Sequence, residues 1–351
     1  MTSRTALGLA AGVGAGGFLA TKLLRASRAI EFAGMTVVIF DGSRGLGLVM
    51  ARELGAEGAR IVLVARDQEE LDVAWADLEE RGAAVSTIVC DVRDRSQVEA
   101  TIERIVREHD TIDVLINVAG IIQVGPRDHM SVADFDDAMS THLWGPLFTV
   151  RAALPHMRRS GARRIVNVAS IGGRIAAPHL LPYSAGKFAL VGLSEGLHAE
   201  LAHEGFTVTT VSPGLIRRGS TYDAWFKDQD RTEFAWIHTS DSIPGLSISA
   251  VRAARQIIDA CRHGDSELIL MPSARLAVLL KALGPGLMAR AMAFGNRFLP
   301  SADDADGDEA RSGWQSVSSF AALADRAGIE NNELPQGGLN RGPRRSPRTG
   351  I

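Results

Sequence analysis

The chain has 351 residues, 46% of them hydrophobic, and a formal net charge of −3 at neutral pH. That length allows one large α/β domain with extensions, and the near-balanced charge gives no reason to expect nucleic acid or an acidic partner. Cys90 and Cys261 are too few for a disulfide framework or a metal-ligand cluster, so no metal is expected. Their apolar surroundings indicate a reducing compartment, and we expect a cytoplasmic domain.

The N-terminal segment, residues 1–33, begins with an apolar stretch. Residues 5–20 contain no charge and many glycines, and Lys22, Arg25 and Arg28 follow them. The stretch is short for a spanning helix, which needs about 20 apolar residues. Three interpretations stay open: a membrane anchor, a leader that is disordered or packed on the domain, and a cleaved signal peptide. If the segment is an anchor, its basic flank keeps the following domain in the cytoplasm.

Short β-branched runs alternate with helical stretches from residue 34 to residue 272. The runs are nearly all apolar, which is typical of strands that are buried on both faces of a parallel sheet. They are predicted at residues 36–39, 60–64, 86–89, 114–116, 164–168, 207–211 and 267–270. The alternation predicts an α/β fold with a doubly wound parallel sheet of about seven strands and helices on both faces.

The chain changes character after residue 272. Residues 273–300 have an apolar, helical pattern that is broken at 284–286 and interspersed with Lys281, Arg290 and Arg297. Two interpretations stay open for this extension. It either covers the pocket or a contact between copies, or it docks on a membrane surface. Residues 301–351 carry an acidic and then a basic run, and we predict that they are disordered.

A glycine-rich turn follows the first predicted strand and opens a helix. It consists of Gly42, Ser43, Arg44, Gly45, Leu46 and Gly47. Glycines at such a junction let the backbone approach a pyrophosphate, and the N-terminus of the helix favours its negative charge. The turn therefore predicts a binding site for a nucleotide cofactor.

Tyr183 and Lys187 share one face of a predicted helix, and Ser170 precedes them. The ammonium group can lower the pKa of the phenol from about 10 toward working pH. A serine hydroxyl beside them can donate a hydrogen bond to a substrate carbonyl. These groups supply the acid/base and the orienting donor that carbonyl reduction by a nicotinamide requires.

Three further strand ends carry residues that we expect on the cofactor side. They are Asp91 and Val92 after the third predicted strand, Asn117, Ala119 and Gly120 after the fourth, and Pro213 and Gly214 after the sixth. The carboxylate of Asp91 is expected to reach the adenine ring. Asn117 is expected to support the sheet edge, and the Pro213-Gly214 turn to flank the nicotinamide.

With these motifs in this order, residues 34–272 resemble the classical short-chain dehydrogenase/reductase family. The resemblance implies a Rossmann-type domain, hydride transfer to or from a nicotinamide, and a homo-oligomer. It implies that Tyr183 is the catalytic acid/base and that Ser170 holds the carbonyl oxygen. It also implies that Lys187 binds the nicotinamide ribose and lowers the pKa of the phenol.

Arg44 and Arg66 predict a preference for NADP over NAD. NAD-using members of the family carry an acidic residue at the end of the second strand, where this chain has Ala65. Two guanidinium groups suit the 2′-phosphate of NADP. The alternative is that both arginines are solvated surface side chains.

Three positions depart from the family pattern. Phe40-Asp41 replaces the Thr-Gly pair that opens the glycine motif, and the added carboxylate is expected to repel the pyrophosphate. His142 replaces the Asn that holds a water in the family's proton relay. It either relays protons itself, with a reference pKa of about 6.5, or only fills space in the helix packing. Arg218 replaces a Thr, so one contact to the nicotinamide amide is expected to be missing.

The substrate region is predicted between residues 215 and 249. Its aromatic side chains are Tyr222, Trp225, Phe226, Phe234 and Trp236. An aromatic lid suits an apolar ketone, alcohol, steroid or acyl chain. The alternative is that these rings only pack the lid onto the body of the domain.

The sequence thus predicts an NADP-preferring oxidoreductase that interconverts an apolar ketone or aldehyde and an alcohol. Two other functions stay open on the same fold: a catalytically impaired nucleotide-binding protein, and a membrane-surface scaffold. The set of Ser170, Tyr183 and Lys187 favours the enzyme, and Phe40-Asp41 favours the impaired binding protein.

Overall fold

The computed structural model describes residues 23–217, 222–228, 231–235, 247–300, 308–313, 315 and 329–333. The predictions for residues 5–20, for Arg218 and for Trp236 lie outside these residues. The strands in chain order are β1 Thr36–Phe40, β2 Arg60–Ala65, β3 Ala84–Val89, β4 Val114–Asn117, β5 Gln123–Val124, β6 Arg164–Val168, β7 Thr207–Ser212, β8 Leu215–Arg217, β9 Trp225–Phe226, β10 Ser247–Ser249, β11 Glu267–Ile269 and β12 Arg311–Ser312.

Within the described residues, both ends of nine α-helices are defined. They are α1 Gly45–Ala56, α2 Gln68–Glu80, α3 Arg95–His109, α4 Val132–Met139, α5 Gly145–Met157, α6 Leu181–Leu201, α7 Ala250–His263, α8 Pro272–Leu283 and α9 Pro285–Gly295. Local side chains set several of their starts. Asp67 caps α2 by accepting from the backbone amide of Glu70, and Asp94 caps α3 in the same way.

Seven strands form one parallel sheet in the order β3-β2-β1-β4-β6-β7-β11. The central strand β1 pairs on one side with β2 and on the other with β4, with Val37 opposite Ile61 and Val114. The chain therefore winds outward from β1 in both directions through helical crossovers, and the predicted doubly wound α/β fold is confirmed.

Alternate residues of β1 enter two separate cores. Val37 and Ile39 pack into one hydrophobic cluster with α1 and α7, and Val38 and Phe40 pack into a second with α3 and α5. Every residue of β1 is fully buried, which explains why its sequence is a continuous apolar run and not an alternating one. The two cores fix the sheet between its helical layers.

The cysteines lie in these cores as free thiols. Burial raises the pKa of Cys90 to about 11 and that of Cys261 to about 12. A buried thiol that stays protonated is a poor nucleophile, so both cysteines act as small apolar core residues.

Helices α8 and α9 form a bent pair after the last strand of the sheet, which we call the α8–α9 hairpin. The predicted break at 284–286 appears at Gly284, where the two helices meet. The pair is bent by 120°, and within the described ranges no single helix is long and apolar enough to cross a membrane.

Two pieces of the C-terminal tail lie against the domain. Strand β12 pairs with β9, and residues 329–333 contact the glycine-rich turn. At these residues the structure differs from the disorder that composition predicts. The physical reason is that both pieces gain backbone hydrogen bonds from partners far away in the sequence.

Candidate active site

A cleft of about 1430 Å³ opens at the carboxyl ends of the sheet strands. The predicted site residues that line it are Arg44, Gly45, Leu46, Arg66, Asp91, Gly120, Ser170, Tyr183, Lys187, Pro213 and Gly214. The predicted residues that do not line it are Gly42, Ser43, Gly47, Val92, Asn117, Ala119 and His142. The second group packs behind the first. Such a cleft is where ligands bind in open α/β sheets.

Ser170 and Tyr183 meet at Gly172. Ser170 follows β6 and begins a short 3₁₀ turn, in which its Oγ accepts a hydrogen bond of 3.0 Å from the amide of Gly172. Tyr183 lies in the first turn of α6. A Cβ atom on Gly172 would lie 2.9 Å from Cε1 of Tyr183 and 3.4 Å from Oγ of Ser170. The missing side chain at this position therefore lets the hydroxyl and the phenol ring come together.

Lys187 lies one helical turn after Tyr183 and is 3% exposed. Its Nζ donates a hydrogen bond of 3.1 Å to the carbonyl of Val168 and lies 6.0 Å from the centroid of the Tyr183 ring. The carbonyl at the end of β6 thus fixes the ammonium group behind the phenol. The sequence-predicted set of Ser170, Tyr183 and Lys187 is brought together in the cleft.

His142 lies behind Tyr183 in a π-helical turn, Ser140–Trp144, between α4 and α5. Its Nε2 accepts a hydrogen bond of 3.1 Å from the amide of Ile121, and its ring meets the Tyr183 ring edge-on at 5.4 Å. Burial, with help from the charge of Lys187, holds the pKa of His142 well below its ordinary value. The imidazole is therefore neutral and its Nε2 lone pair is engaged, which favours packing over proton relay.

The glycine-rich turn is tight, and Asp41 occupies a strained place in it. Asp41 has a φ of 64°, in the left-handed region that favours glycine. A Cβ on Gly47 would overlap the carbonyl oxygen of Asp41, and one on Gly42 would lie 2.8 Å from Cδ2 of Leu63. The glycines let the turn fold onto itself, and Asp41 carries a carboxylate into the cleft wall.

Carboxylates of the domain surround Arg44. Its guanidinium forms ion pairs with Asp223 and with Glu70, the latter at 3.4 Å. Burial opposes the charge on Arg44, but these carboxylates outweigh it and raise the pKa of the guanidinium above its ordinary value. Burial also raises the pKa of Glu70, although the hydroxyl of Ser43 donates to this carboxylate at 2.8 Å. Arg44 is thus held inside the turn.

Arg66 and Asp91 lie at the ends of β2 and β3. Arg66 is exposed and lines the cleft. Burial works to raise the pKa of Asp91, but hydrogen bonds from the side chain and backbone of Arg93 outweigh it and hold this pKa below its ordinary value. The ion pair between Asp91 and Arg93 has an N–O distance of 2.7 Å. This rim of the cleft therefore places the exposed guanidinium of Arg66 beside a carboxylate that is paired with Arg93.

Asn117 points into the sheet and not into the cleft. It is 3% exposed, donates to Asn167 at 2.9 Å and accepts from Thr149 at 2.8 Å. These bonds tie β4 to β6 and to α5. Asn117 therefore supports the carboxyl edge of the sheet from inside, while Gly120 reaches the cleft surface.

The aromatic rings of the substrate region form a small core of their own. Tyr222, Phe226 and Phe234 are fully buried and pack against Val124. Tyr222 and Trp225 also border the cleft. The geometry favours the interpretation in which most of these rings pack the lid onto the body.

Sequence reasoning missed the contribution of the tail to this cleft. The amide of Gly45 donates a hydrogen bond of 2.8 Å to the carbonyl of Asn331. The side-chain amide of Asn332 donates to the carbonyl of Ser43 at 3.0 Å, and Glu333 lines the cleft. The tail has no hydrophobic periodicity, so no local signal in the sequence marks these contacts.

Comparisons with known proteins agree with this geometry. A family model described as short chain dehydrogenase matches residues 35–229. The chain is 36% identical to gluconate 5-dehydrogenase of Gluconobacter oxydans (strain 621H), over 53% of this chain and 73% of that protein. It is 30% identical to dehydrogenase/reductase SDR family member 7B of Danio rerio, over 73% of this chain and 84% of that protein.

A solved structure has the same fold. The short-chain dehydrogenase from Streptomyces avermitilis superposes with a TM-score of 0.64 and 27% identity, over 76% of this chain and 98% of that one. The family model covers more than half of the chain, and the matched segment contains the glycine-rich turn and the Ser-Tyr-Lys set. The chain therefore belongs to the classical short-chain dehydrogenase/reductase family.

Proposed function

We propose that this chain, an NAD(P)-dependent oxidoreductase by family, interconverts an apolar ketone or aldehyde and the corresponding alcohol, with NADP as the preferred cofactor. The observation that carries the proposal is the meeting of Ser170 and Tyr183 at Gly172, with the ammonium group of Lys187 6.0 Å from the Tyr183 ring in the same cleft. Ile121, Ile122 and Trp225 border the same cleft, which supports an apolar substrate.

The donor groups fit a dinucleotide at three points. Arg66 would hold the 2′-phosphate, the N-terminus of α1 would hold the pyrophosphate, and Lys187 would hold the nicotinamide end. The bound cofactor supplies or accepts the hydride. The carboxylates of Asp41 and Glu333 oppose the phosphates, and this is the feature that favours the alternative of an impaired nucleotide-binding protein.

In this proposal each of the three side chains has a separate role in the transfer of the proton. The Oγ of Ser170 already accepts from Gly172, so its hydroxyl proton is directed to the carbonyl oxygen of the substrate. The Tyr183 hydroxyl gives its proton to that oxygen during reduction and takes it back during oxidation. The ammonium of Lys187 stabilises the phenolate that forms. We assign to His142 the positioning of Ile121 and of the Tyr183 ring.

The deciding experiment is a titration of the purified protein with NADPH that follows nicotinamide fluorescence, and then turnover with a panel of apolar ketones, aldehydes and alcohols. We expect saturable binding and turnover of at least one of them. Binding without turnover of any member would support the impaired binding protein instead.

We expect NADPH to bind more tightly than NADH, and Arg66 to carry most of the difference. A charge-assisted hydrogen bond to the 2′-phosphate contributes about 1.5–3 kcal/mol. Arg66→Ala should therefore reduce the preference by roughly 10- to 100-fold, as fluorescence titrations with both cofactors measure. Arg44→Ala should reduce it less, because Arg44 is already paired with Asp223 and Glu70.

Arg95→Ala is the matched control, since Arg95 is exposed on α3 and does not line the cleft. It should leave both affinities unchanged. Equal affinity of the unmodified protein for NADPH and NADH would contradict the predicted preference.

Asp41→Gly should tighten NADPH binding. The carboxylate lies in the cleft wall, and two like charges a few ångströms apart cost about 1 to 4 kcal/mol between the dielectric limits of water and a protein surface. Asp110→Gly is the matched control, because Asp110 has a φ of 67° but lies outside the cleft at the end of α3. Both variants relieve backbone strain at a left-handed residue, so a gain specific to Asp41→Gly locates its cause at the cleft and excludes a general change in stability.

Membrane association through the N-terminal segment and a homo-oligomeric state complete the proposal. Arg25 forms ion pairs with Asp259 and Asp265. These ion pairs hold the end of the N-terminal segment on the surface of the domain. A chain that starts at Ile30 should stay folded and pellet with membranes less than the full chain does, and any membrane binding that it keeps would point to the α8–α9 hairpin. A full chain found wholly in the supernatant would contradict the anchor.

A further inference from the structure

The α8–α9 hairpin exposes apolar side chains that a water-facing helix normally buries. Leu283 is 76% exposed, Leu287 73%, and Phe298 in the turn after α9 75%. Within the two helices as the structure describes them, Ala274 alone is buried. A cluster of exposed leucines and phenylalanines of this kind marks a surface that meets an apolar partner.

The charge on this surface has one sign. Residues 268–302 contain Arg275, Lys281, Arg290 and Arg297 and no Asp or Glu. Lys281 donates to the carbonyl of Arg174 and lies 4.7 Å from the centroid of the Phe188 ring, so α8 is fastened to the domain. Arg290 and Arg297 are exposed on the outer arm. Two copies of this face would bring only cations together, whereas anionic lipid headgroups would complement them.

We propose that the α8–α9 hairpin docks on the surface of an anionic lipid bilayer, with its leucines among the upper acyl chains and its arginines among the headgroups. The 120° bend suits a hairpin that lies in the interface. The start of α8 packs behind the cleft wall, because a Cβ on Gly214, which lines the cleft, would lie 3.1 Å from Sδ of Met271, the residue before α8. Docking therefore brings the cleft close to apolar compounds dissolved in the membrane.

The test uses the full chain and co-sedimentation with vesicles of phosphatidylcholine, with and without phosphatidylserine. The unmodified protein should bind the anionic vesicles, and the double variant Leu283→Glu/Leu287→Glu should bind at least tenfold more weakly. Val132→Glu is the matched control, because Val132 is 77% exposed on α4, away from the hairpin. Arg290→Gln/Arg297→Gln should remove most of the dependence on phosphatidylserine.

Two results would overturn the proposal. Unchanged vesicle binding by the leucine variant would assign the membrane contact to residues 1–22. Failure of the unmodified protein to bind vesicles would overturn membrane docking altogether. In that case, a dimer that dissociates in the leucine variant would identify a second copy as the partner of this face.

A second observation, at the other end of the cleft, carries an independent inference. Asn331, Asn332 and Glu333 are each less than 10% exposed and lie on the glycine-rich turn. The carboxylate of Glu333 lies 2.8 Å from the place that a Cβ on Gly45 would take. An oxygen of the Asn331 backbone and a carboxylate thus occupy the N-terminus of α1, where the helix dipole attracts anions.

We infer that residues 331–333 compete with the cofactor pyrophosphate for the N-terminus of α1, so that the tail closes the site until the dinucleotide displaces it. This inference rests on the proposed function. Glu333→Gln should bind NADPH several-fold more tightly than the unmodified protein, because it removes the competing charge. Glu330→Gln is the matched control, since Glu330 is exposed one turn earlier.

Limited trypsin digestion gives a second readout, because Arg326 and Arg341 flank the segment. NADPH should speed cleavage at these sites by releasing the tail. If Glu333→Gln and the unmodified protein bound NADPH with equal affinity, the competition would be overturned and the proposed function would stand. Slower trypsin cleavage of the tail in the presence of NADPH would have the same consequence. Absence of NADPH binding by both proteins, with faster cleavage in Glu333→Gln, would overturn the proposed function and the competition with it.

Discussion

Replacing Tyr183 by Phe should lower turnover by about 10²- to 10⁴-fold and leave NADPH affinity within a few-fold. In the proposed mechanism the hydroxyl exchanges a proton with the substrate oxygen, while Lys187 and Arg66 would hold the two ends of the cofactor. Steady-state rates with any accepted carbonyl compound, together with fluorescence titration, measure both effects.

Tyr222→Phe is the natural control, because the chain has 2 tyrosines and Tyr222 also borders the cleft. It is fully buried in the lid cluster and should lose little turnover. Retention of most activity by the Tyr183 variant, or an equal loss in both variants, would remove Tyr183 from the acid/base role.

Gly47→Ala should abolish measurable NADPH binding and destabilise the domain by about 1–3 kcal/mol. The new Cβ would overlap the carbonyl oxygen of Asp41 and lie 3.0 Å from Cα of Gly42. Both neighbours are backbone atoms, so the turn itself must open. Urea unfolding measures the stability change, and fluorescence titration measures the loss of binding.

Gly192→Ala provides the comparison inside a helix. A Cβ there would meet no atom within 4 Å, and Ala is favoured over Gly in a helix by about 1 kcal/mol. This variant should become slightly more stable and bind NADPH normally. If Gly47→Ala behaved in the same way, the glycine-rich turn would have no role in cofactor binding.

The sheet could be predicted because its signal is local. A run such as Val37, Val38 and Ile39 is apolar because each residue enters one of the two cores, and this is visible in any short window of sequence. The confirmed order of seven parallel strands then follows from the alternation with helices. The signal for Tyr183 and Lys187 is equally local, because both residues lie in the single helix α6.

The pairing of the site residues and the packing of the lid could not be predicted, because they depend on contacts between residues that are far apart in the chain. The sequence predicts Arg44 as a ligand of the 2′-phosphate, and its pairing with Asp223, 179 positions away in the chain, leaves no mark near it in the sequence. Asn117 finds its partner Asn167 on the neighbouring strand β6, 50 positions away in the chain, and no pattern near either residue marks the pair. The buried state of Tyr222 and Phe226 likewise depends on how the lid folds back, which composition alone does not determine.

The contact between Asn332 and the carbonyl of Ser43 joins residues that are 289 positions apart. Synthesis proceeds from the N-terminus, and domains fold as their residues emerge. The sheet can therefore form while the chain is still growing, but the wall that Asn332 and Glu333 add to the cleft cannot. A chain that is interrupted before residue 329 would leave the ribosome with its core assembled and this wall missing.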